Sequence, residues 1–290
     1  MKIFVCVKQV PDIRAVKEIS KTTIGQSGNE HFYTINLPDR SALEQAVWFK
    51  RHLPDVEVVA ISLGPSSVWE TLDICLKMGA DRAIHLECED SNLDVYAAGH
   101  EIAKLIKESA FDLVLCGGSS VDWNSSHMAS VLSTILEVPL ITSVIEMQVL
   151  QSEKITMATR RLRRGARQVV ECTLPAVLAV EDAIQQPRYV SVHTRLKQKF
   201  PRNSLIEKVE IDGREAGKKS LIELVDIAPR RPRPKKVILP EENLSAADRL
   251  KLMISGGVSS KKNSSSVVKG NVVDVSRRVM DYLVQENLLD

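Results

Sequence analysis

The chain has 290 residues, with 39 Lys and Arg against 37 Asp and Glu, so its net charge is only +2. Hydrophobic residues make up 44% and charged residues 26%, which is typical of a globular protein with a hydrophobic core. The near-neutral charge and an aromatic content of 4% argue against nucleic-acid binding. The five cysteines form no CxxC pair, so they indicate reduced thiols and no metal site. The amino-terminal MKIFVCVKQ begins a strand pattern at once, and no stretch approaches about 18 apolar residues. We therefore expect a cytoplasmic protein without direct membrane insertion.

The first 140 residues alternate between short apolar runs and segments with helical periodicity. The apolar runs predict buried parallel strands at Lys2–Lys8, Val56–Ser62, Arg82–Leu86 and Asp112–Cys116. Between them, apolar residues recur every three or four positions. Gly79 is placed to end one such helix, and Asp94 to cap the next. The alternation predicts an α/β fold with a doubly wound, mostly parallel sheet of the adenine-nucleotide-binding type.

The pattern changes after residue 140. Three strand-rich runs either extend the sheet or form a small antiparallel layer: Leu140–Leu150, Lys154–Arg161 and Gln168–Val180. The proline-rich segment from Asp226 to Pro240 predicts an extended arm, and Ser255–Gly270 a flexible link. A short terminal helix is predicted at Asp274–Leu288. We expect an α/β domain over residues 1–185, a partner-recognition loop and arm over 186–240, and a link with a terminal helix over 241–290.

No catalytic or metal-binding motif is present, so a binding function is favoured. The most informative stretch is LCGGSSVDWNSSHMASVL, in which a buried strand ends, a Gly-Gly turn follows and hydroxyl and amide side chains open a helix. Asn124, Ser125 or Ser126 is expected to cap that helix. Amides at a helix N-terminus suit a phosphate, and ligands of open α/β sheets lie beyond the carboxyl ends of the strands. A plain capped turn is the alternative interpretation. Two further strand exits, Cys6–Gln9 and Leu63–Pro65, are expected at the same edge.

Four segments together resemble the beta subunits of electron-transfer flavoproteins: KIFVCVKQVPD, ALEQAVWFK, LGPSSVWETLDICLKMGADRAIHL and LPAVLAVEDAIQQPRY. The resemblance extends over roughly the first 200 residues. It implies a heterodimer with an alpha subunit that carries the redox FAD, completed by the beta chain. It also implies bound AMP in this chain, or a second FAD in electron-bifurcating members. Electrons would come from a flavin dehydrogenase, such as an acyl-CoA dehydrogenase, and pass to an acceptor such as quinone.

When the functional positions of the family are transferred to this sequence, the resemblance implies a nucleotide site and a docking segment. The nucleotide site would comprise Cys6, Asn36, Leu37, Pro38, Asp39, Leu63, Gly118, Ser119, Ser120, Val121, Asp122, Trp123, Asn124, Ser125, Ser126, His127, Met128 and Ala129. The segment Glu181–Lys199 would be the loop that docks in the dehydrogenase, with Val192 as its apolar residue; an ordinary loop valine is the alternative. The proline-rich arm would wrap the alpha subunit.

Three departures from the family pattern keep alternatives open. The first loop reads Asn36-Leu37-Pro38, whereas the family usually reads Asn-Pro-aromatic. The hairpin Arg160–Arg167 is basic, whereas the family's hairpin carries an acidic residue with glycines and meets the alpha chain or the flavin. Either the electrostatics or the partner of this hairpin is altered, or its charges form a solvated surface. Asp94 is followed by Val95 and Ala98 in place of the threonines that bind a second flavin in bifurcating relatives, which favours AMP. A nucleotide-binding ATPase or sensor of the same fold is a further alternative, although the Gly-Gly turn lacks a lysine.

Overall fold

The structure is a computed structural model that describes residues 1–12, 33–88, 93–197, 205–212, 220–222 and 270–285. The chain divides into two compact units, residues 1–229 and 230–290. The predicted proline-rich arm and almost all of the predicted flexible link lie outside the described residues. The domain boundaries at 185 and 240 stay predictions.

The first unit contains eleven described strands and five described helices. The strands are β1 Lys2–Cys6, β2 Gln9–Pro11, β3 Tyr33–Ile35, β4 Glu57–Gly64, β5 Arg82–Glu87, β6 Leu113–Gly117, β7 Leu140–Leu150, β8 Ile155–Arg161, β9 Arg167–Thr173, β10 Ala176–Val180 and β11 Ile206–Glu210. The helices are α1 Leu37–His52, α2 Val68–Met78, α3 Val95–Lys107, α4 Met128–Leu136 and α5 Val192–Lys197. In the second unit the described element is one helix, α6 Val272–Gln285, close to its predicted position.

Nine strands form one sheet in the order β11-β5-β4-β1-β6-β10-β7-β8-β9, and the pairs from β11 to β7 are parallel. The chain first moves from β1 to β4 and β5 on one side, and then returns to β6 on the other side of β1. This reversal makes the carboxyl ends of β1 and β6 the topological switch point, where open α/β sheets bind ligands. The predicted doubly wound α/β class is confirmed.

The strand-rich runs after residue 140 extend the sheet instead of forming a separate layer. Strand β7 pairs with β10 in parallel, and β8 and β9 follow as antiparallel neighbours. Because β10 inserts between β6 and β7, the antiparallel hairpin lies at the far end of the sheet. Of the two sequence-based alternatives, extension of the sheet is therefore confirmed, and within that sheet β8 and β9 are antiparallel to their neighbours.

The hydrophobic core has two layers, one on each face of the sheet. Helices α1 and α2 cover one face, where Leu43 and Leu72 are completely buried. Helices α3 and α4 cover the other face, where Ile106 and Leu132 are completely buried. Each such leucine or isoleucine contributes about 1.5–3 kcal/mol through removal of its side chain from water. Helices packed on both faces of the sheet thus fix the positions of the strands, including the carboxyl ends that form the switch point.

Two predicted helix ends are confirmed. Gly79, at φ +125°, ends α2, and its amide donates to the carbonyl oxygens of Cys75 and Leu76. Asp94 caps α3, with its carboxylate accepting from the Ala97 amide at 2.8 Å. Among the helices of the described residues, none is long and apolar enough to cross a membrane.

Candidate functional site

The carboxyl ends of β4, β1 and β6 lie side by side at one edge of the sheet. Cys6 is in register with Ile61 on one side and with Cys116 on the other. The expectation that these strand exits converge is therefore confirmed. A hydrogen bond with the Cys6 thiol, together with burial, raises the pKa of Cys116 well above its usual range. This thiol is consequently protonated at neutral pH and not a nucleophile.

Asp39 joins three elements at the switch point. One oxygen of its carboxyl group accepts from the Lys8 amide at 2.8 Å, and the other accepts from the Gly117 amide at 3.0 Å. The side chain thus bridges the ends of β1 and β6 from the first turn of α1. Burial raises the pKa of Asp39 to about 7, although both backbone hydrogen bonds and Lys8 favour the ionised form. This group therefore titrates near neutral pH.

Asn36 fastens the first loop to the turn after β6. Its side-chain amide donates to the Ser119 carbonyl at 2.8 Å, and its side-chain oxygen accepts from the Val121 amide at 3.2 Å. The Asn36 backbone amide also donates to the Lys8 carbonyl at 3.0 Å. Pro38, in the first turn of α1, has no amide hydrogen to leave unsatisfied. The two loops predicted to enclose a ligand are therefore in contact.

The turn after β6 uses much of its own hydrogen-bonding capacity. The amide of Gly118 donates to the Val180 carbonyl at 2.7 Å, that of Trp123 to the Asp122 carboxylate at 2.7 Å, and that of Asn124 to the Ser120 carbonyl at 2.9 Å. These donors, like those of Gly117 and Val121, are not available to an anion. The occupied amides lie in the first part of the turn, so the region around the start of α4 is the better position for an anion at this edge.

The predicted cap of α4 is wrong. The N-cap is His127, whose side chain makes no capping hydrogen bond. Asn124 and Ser126 have φ values of 50° and 56°, and residues in this left-handed conformation do not take the extended geometry of an N-cap. Because no side chain caps the helix, the first amides of α4, at Met128 and Ala129, have no acceptor among the described residues. Ser125, Ser126 and His127 are exposed beside them.

Asp122 lies between this turn and β1. Its carboxylate forms an ion pair with the Lys8 ammonium at 2.6 Å. Burial alone raises its pKa, but Lys8 and the hydrogen bond from Ser120 hold the pKa of Asp122 below its usual value. Three apolar side chains at the same edge stay about half exposed, namely those of Leu37, Val121 and Trp123. Exposed apolar side chains near amides without an acceptor suit a ligand with a planar ring and an anionic group.

A second arrangement holds the segment after β10 against α1. The Arg188 guanidinium donates to both carboxylate oxygens of Glu44, at 2.6 and 2.5 Å, and the Arg188 carbonyl accepts from Arg40 at 3.1 Å. The Ser41 hydroxyl also donates to the Asp182 carbonyl at 3.2 Å. Val192 begins α5 four residues later and is 58% exposed. The predicted docking segment is therefore anchored at one end and presents its apolar residue to solvent.

Replacing Glu44 by Gln is expected to destabilise this anchor. The substitution keeps the shape of the side chain but leaves the half-buried Arg188 without its counter-charge, at a cost of roughly 1–3 kcal/mol. Urea unfolding measures the loss, and limited proteolysis should show faster cleavage between residues 181 and 197. The matched control is Glu57→Gln, because Glu57 is 39% exposed and pairs loosely with Lys2 at 3.7 Å. Equal stability and equal protease resistance in the two variants would contradict the role of the anchor.

Asp94 has a second set of partners besides its helix cap. Its other carboxylate oxygen accepts from the amides of Leu221 and Ile222, at 2.6 and 2.9 Å. Burial opposes ionisation, but the amides of Ala97, Leu221 and Ile222 hold the pKa of Asp94 below its usual value. The carboxylate is therefore engaged by the protein itself.

Four residues that build these arrangements are absent from the predicted site residues: Lys8, Glu44, Gly117 and Arg188. Glu44 gave a usable signal, because a carboxylate within the buried stripe of a helix requires a cationic partner. The role of Gly117 follows from Asp39, since a Cβ at Gly117 would lie 2.0 Å from the Asp39 carboxylate. The predicted residues Cys6, Asn36, Asp39, Leu63 and the 118–129 turn all lie at the carboxyl edge of the sheet, whereas Val192 lies in the anchored segment.

Comparisons with known proteins agree with this architecture. Residues 29–218 match the family model of the electron transfer flavoprotein domain. The chain is 34% identical over 195 residues to the caffeyl-CoA reductase-Etf complex subunit CarD of Acetobacterium woodii, covering 66% of this chain and 72% of the relative. It is 32% identical to the electron transfer flavoprotein subunit beta of Methylophilus methylotrophus, covering 66% and 74%. The corresponding bovine subunit is 29% identical, covering 78% of this chain and 89% of the relative.

The family match includes β4 to β6, the turn after β6 and the anchored segment, so it contains most of the candidate site. Several of the relatives carry the same name, electron transfer flavoprotein subunit beta. The chain therefore belongs to the electron transfer flavoprotein family, as a member of its beta-subunit group.

Proposed function

We propose that this chain binds AMP at the switch point of its sheet and completes the FAD site of an alpha subunit, so that the pair carries electrons from a flavin dehydrogenase to an acceptor such as quinone. The observation that carries the proposal is the pairing of open amides at the start of α4 with exposed apolar surface at the same edge. Membership of the beta-subunit group supplies the functional context.

The hydrogen-bond donors at the start of α4 suit a nucleoside monophosphate. Met128 and Ala129 would offer amides to the phosphate, helped by the positive end of the α4 dipole, and Ser125 would add a hydroxyl. Trp123 and Val121 would contact the adenine ring. Asp39 and Asn36 would not touch the phosphate; they hold the loops in the shape that receives it. The nucleotide would stabilise the fold as any ligand of the native state does.

AMP is favoured over a second FAD by the state of Asp94. Its carboxylate already accepts three backbone amides, from Ala97, Leu221 and Ile222. Val95 and Ala98 supply no hydroxyl groups beside it. A second flavin at this position would have to displace those contacts.

The alpha subunit would carry the redox FAD, and this chain would supply protein surface to it. The segment after β10, held by Glu44 and Arg188, would position Val192 for docking in the dehydrogenase. One relative is named as a subunit of a complex between a reductase and an electron-transfer flavoprotein, which supports a flavoenzyme as the electron donor.

The nucleotide site is tested on the isolated chain by calorimetric titration with AMP and with adenosine. Replacing Ser125 by Ala should weaken AMP binding about tenfold, because a hydrogen bond to a charged phosphate is lost. Adenosine affinity should not change, and the exposed-turn variant Ser152→Ala should bind both ligands like the wild type. Failure of nucleotide-stripped wild-type protein to bind AMP would overturn this part of the proposal.

A further inference from the structure

The three strands at the end of the sheet, β7, β8 and β9, have one packed face and one uncovered face. Side chains alternate between the two faces along each strand. Met147 and Ala158 point to the packed face and belong to the core layer on the side of α1 and α2. On the opposite side, Leu150, Met157 and Val169 are 40%, 37% and 63% exposed. Among the described residues, no member of β8 or β9 belongs to the core layer under α3 and α4. We call this uncovered side the outer face.

The turn that joins β8 to β9 carries an unbalanced positive charge. Four exposed arginines lie within seven residues, at positions 161, 163, 164 and 167. Arg161 forms an ion pair with Glu181 at 3.0 Å. Among the described residues, Arg163, Arg164 and Arg167 form no ion pair. The outer face therefore ends in three guanidinium groups without a counter-charge.

Two features of this turn are unfavourable in the chain by itself. Arg161 lies directly opposite Arg167 in the ladder between β8 and β9, and like charges in this position are destabilising. Arg164 has a φ of 58°, a left-handed conformation that glycine or asparagine adopts more readily. The Leu162 amide nevertheless donates to the Ala166 carbonyl at 2.8 Å, which closes the turn. The arginines thus project from a defined backbone, and negative charge beside them would offset the repulsion.

We propose that the outer face is covered by the alpha subunit, and that the alpha surface opposite Arg163, Arg164 and Arg167 carries carboxylates. The assignment rests on the proposed function, which makes an alpha subunit the permanent partner of this chain. An apolar centre with a polar rim is typical of stable protein interfaces, where arginine is enriched. A guanidinium also binds a carboxylate through two parallel hydrogen bonds, which fixes orientation. The hairpin therefore selects an acidic alpha subunit over a neutral or basic one.

The flavin dehydrogenase is the less suitable occupant of this face. Its proposed docking residue, Val192, lies in the segment after β10 that Glu44 and Arg188 anchor to α1. Transient partners use small interfaces, whereas permanent partners bury more apolar surface. The outer face exposes three apolar side chains next to the arginines, so it suits the permanent partner.

The first test is cross-linking within the purified pair of this chain and its alpha subunit. Arg164→Lys keeps the positive charge and introduces an amine, which a carbodiimide joins directly to a neighbouring carboxylate with loss of water. Mass spectrometry of the digested product should find the introduced lysine bonded to an Asp or Glu of the alpha subunit. The matched control is Arg51→Lys, at an exposed position in the last turn of α1, which packs on the opposite face of the sheet. It should give no such product.

The second test measures the affinity of the pair by sedimentation velocity over a dilution series. The triple variant R163Q/R164Q/R167Q should bind the alpha subunit about tenfold more weakly, because each exposed ion pair contributes about a two- to fivefold factor. Raising the salt from roughly 50 to 500 mM should weaken the wild-type pair much more than the triple variant. Arg51→Gln should leave the affinity unchanged.

The stability of the isolated chain separates recognition from a structural role. Arg167→Gln removes the repulsion with Arg161, so the urea midpoint of this variant should equal or exceed that of the wild type. Its affinity for the alpha subunit should nevertheless fall about two- to fivefold. A lower urea midpoint together with unchanged affinity would show that Arg167 serves the fold and not the partner.

Three outcomes would overturn the inference. Equal affinity of the wild type and the triple variant, or an introduced lysine that reaches no carboxylate of the alpha subunit, would do so and leave the proposed function standing. Binding to phosphatidylserine vesicles that depends on the three arginines, with unchanged affinity for the alpha subunit, would assign the hairpin to a membrane surface instead. A wild-type chain that forms no pair with the alpha subunit would overturn the proposed function as well.

Discussion

Replacing Gly117 by Ala is expected to lower the free energy of unfolding by about 2–4 kcal/mol and to abolish AMP binding. A Cβ at this position would lie 2.0 Å from the Asp39 carboxylate oxygen and 2.9 Å from both the Asp39 amide and Pro38. Two of these neighbours belong to the backbone or ring at the start of α1, so the helix itself must move. Overpacking of a buried contact typically costs 1–3 kcal/mol, and loss of the two hydrogen bonds to Asp39 adds to it.

The adjacent glycine supplies the control. A Cβ at Gly118 would meet the Val180 carbonyl at 3.2 Å, so a shift of a few tenths of an ångström accommodates it. Gly118→Ala should therefore cost less than about 1 kcal/mol and retain nucleotide binding. Urea unfolding and calorimetry measure both effects. If Gly117→Ala were as stable as Gly118→Ala and bound AMP equally well, the proposed junction of α1, β1 and β6 would be wrong.

The stability of the protein is expected to fall as the pH rises from about 4 to 7 because of Asp39. Burial raises the pKa of this group from 3.8 to about 7 in the folded state. In this pH window the folded protein keeps a proton that the unfolded chain has lost, so each rise in pH favours unfolding. The full shift corresponds to an upper bound of about 4 kcal/mol, reached above the folded pKa.

Asp39→Asn isolates this effect. The amide keeps the shape of the side chain but does not titrate, although its NH2 group must face one of the two backbone donors. We expect a loss of roughly 1–3 kcal/mol at pH 5 and a much smaller loss at pH 8. Chemical denaturation at each pH measures the difference between variant and wild type, which removes the contribution of all other titrating groups. A difference that does not change between pH 5 and pH 8 would show that Asp39 does not titrate in this range.

The fold was predictable for the strands that are buried on both faces, because such strands consist almost entirely of apolar residues. The central strands β1, β4 and β6 are apolar almost throughout, and Gly79 and Asp94 mark helix ends through local chemistry. The position of β10 was not predictable. It pairs with β6 and β7, and the choice of neighbours depends on packing between strands far apart in sequence, which periodicity does not encode.

The location of the candidate site was predictable from the sequence, but its long-range hydrogen bonds were not. Parallel strands place their carboxyl ends at one edge, so the meeting of Cys6, Leu63 and the turn after β6 followed from topology alone. The bonds of Asp39 to Lys8 and Gly117 span 31 and 78 residues, and no local pattern signals them. For the same reason the sequence did not reveal that the amides of Gly117, Gly118, Val121, Trp123 and Asn124 are already occupied, which favours the start of α4 as the anion position.

The central claim is that the switch point of this chain encloses an adenosine phosphate and that the chain functions with a flavin-bearing partner. The most direct test is to co-purify the chain with its alpha subunit and to measure nucleotide content after denaturation, by chromatography of the released ligands. We predict one FAD and one AMP for each pair, with AMP lost from the Gly117→Ala pair. A pair that contains no adenine nucleotide besides its FAD, or that contains two flavins and no AMP, would contradict the account.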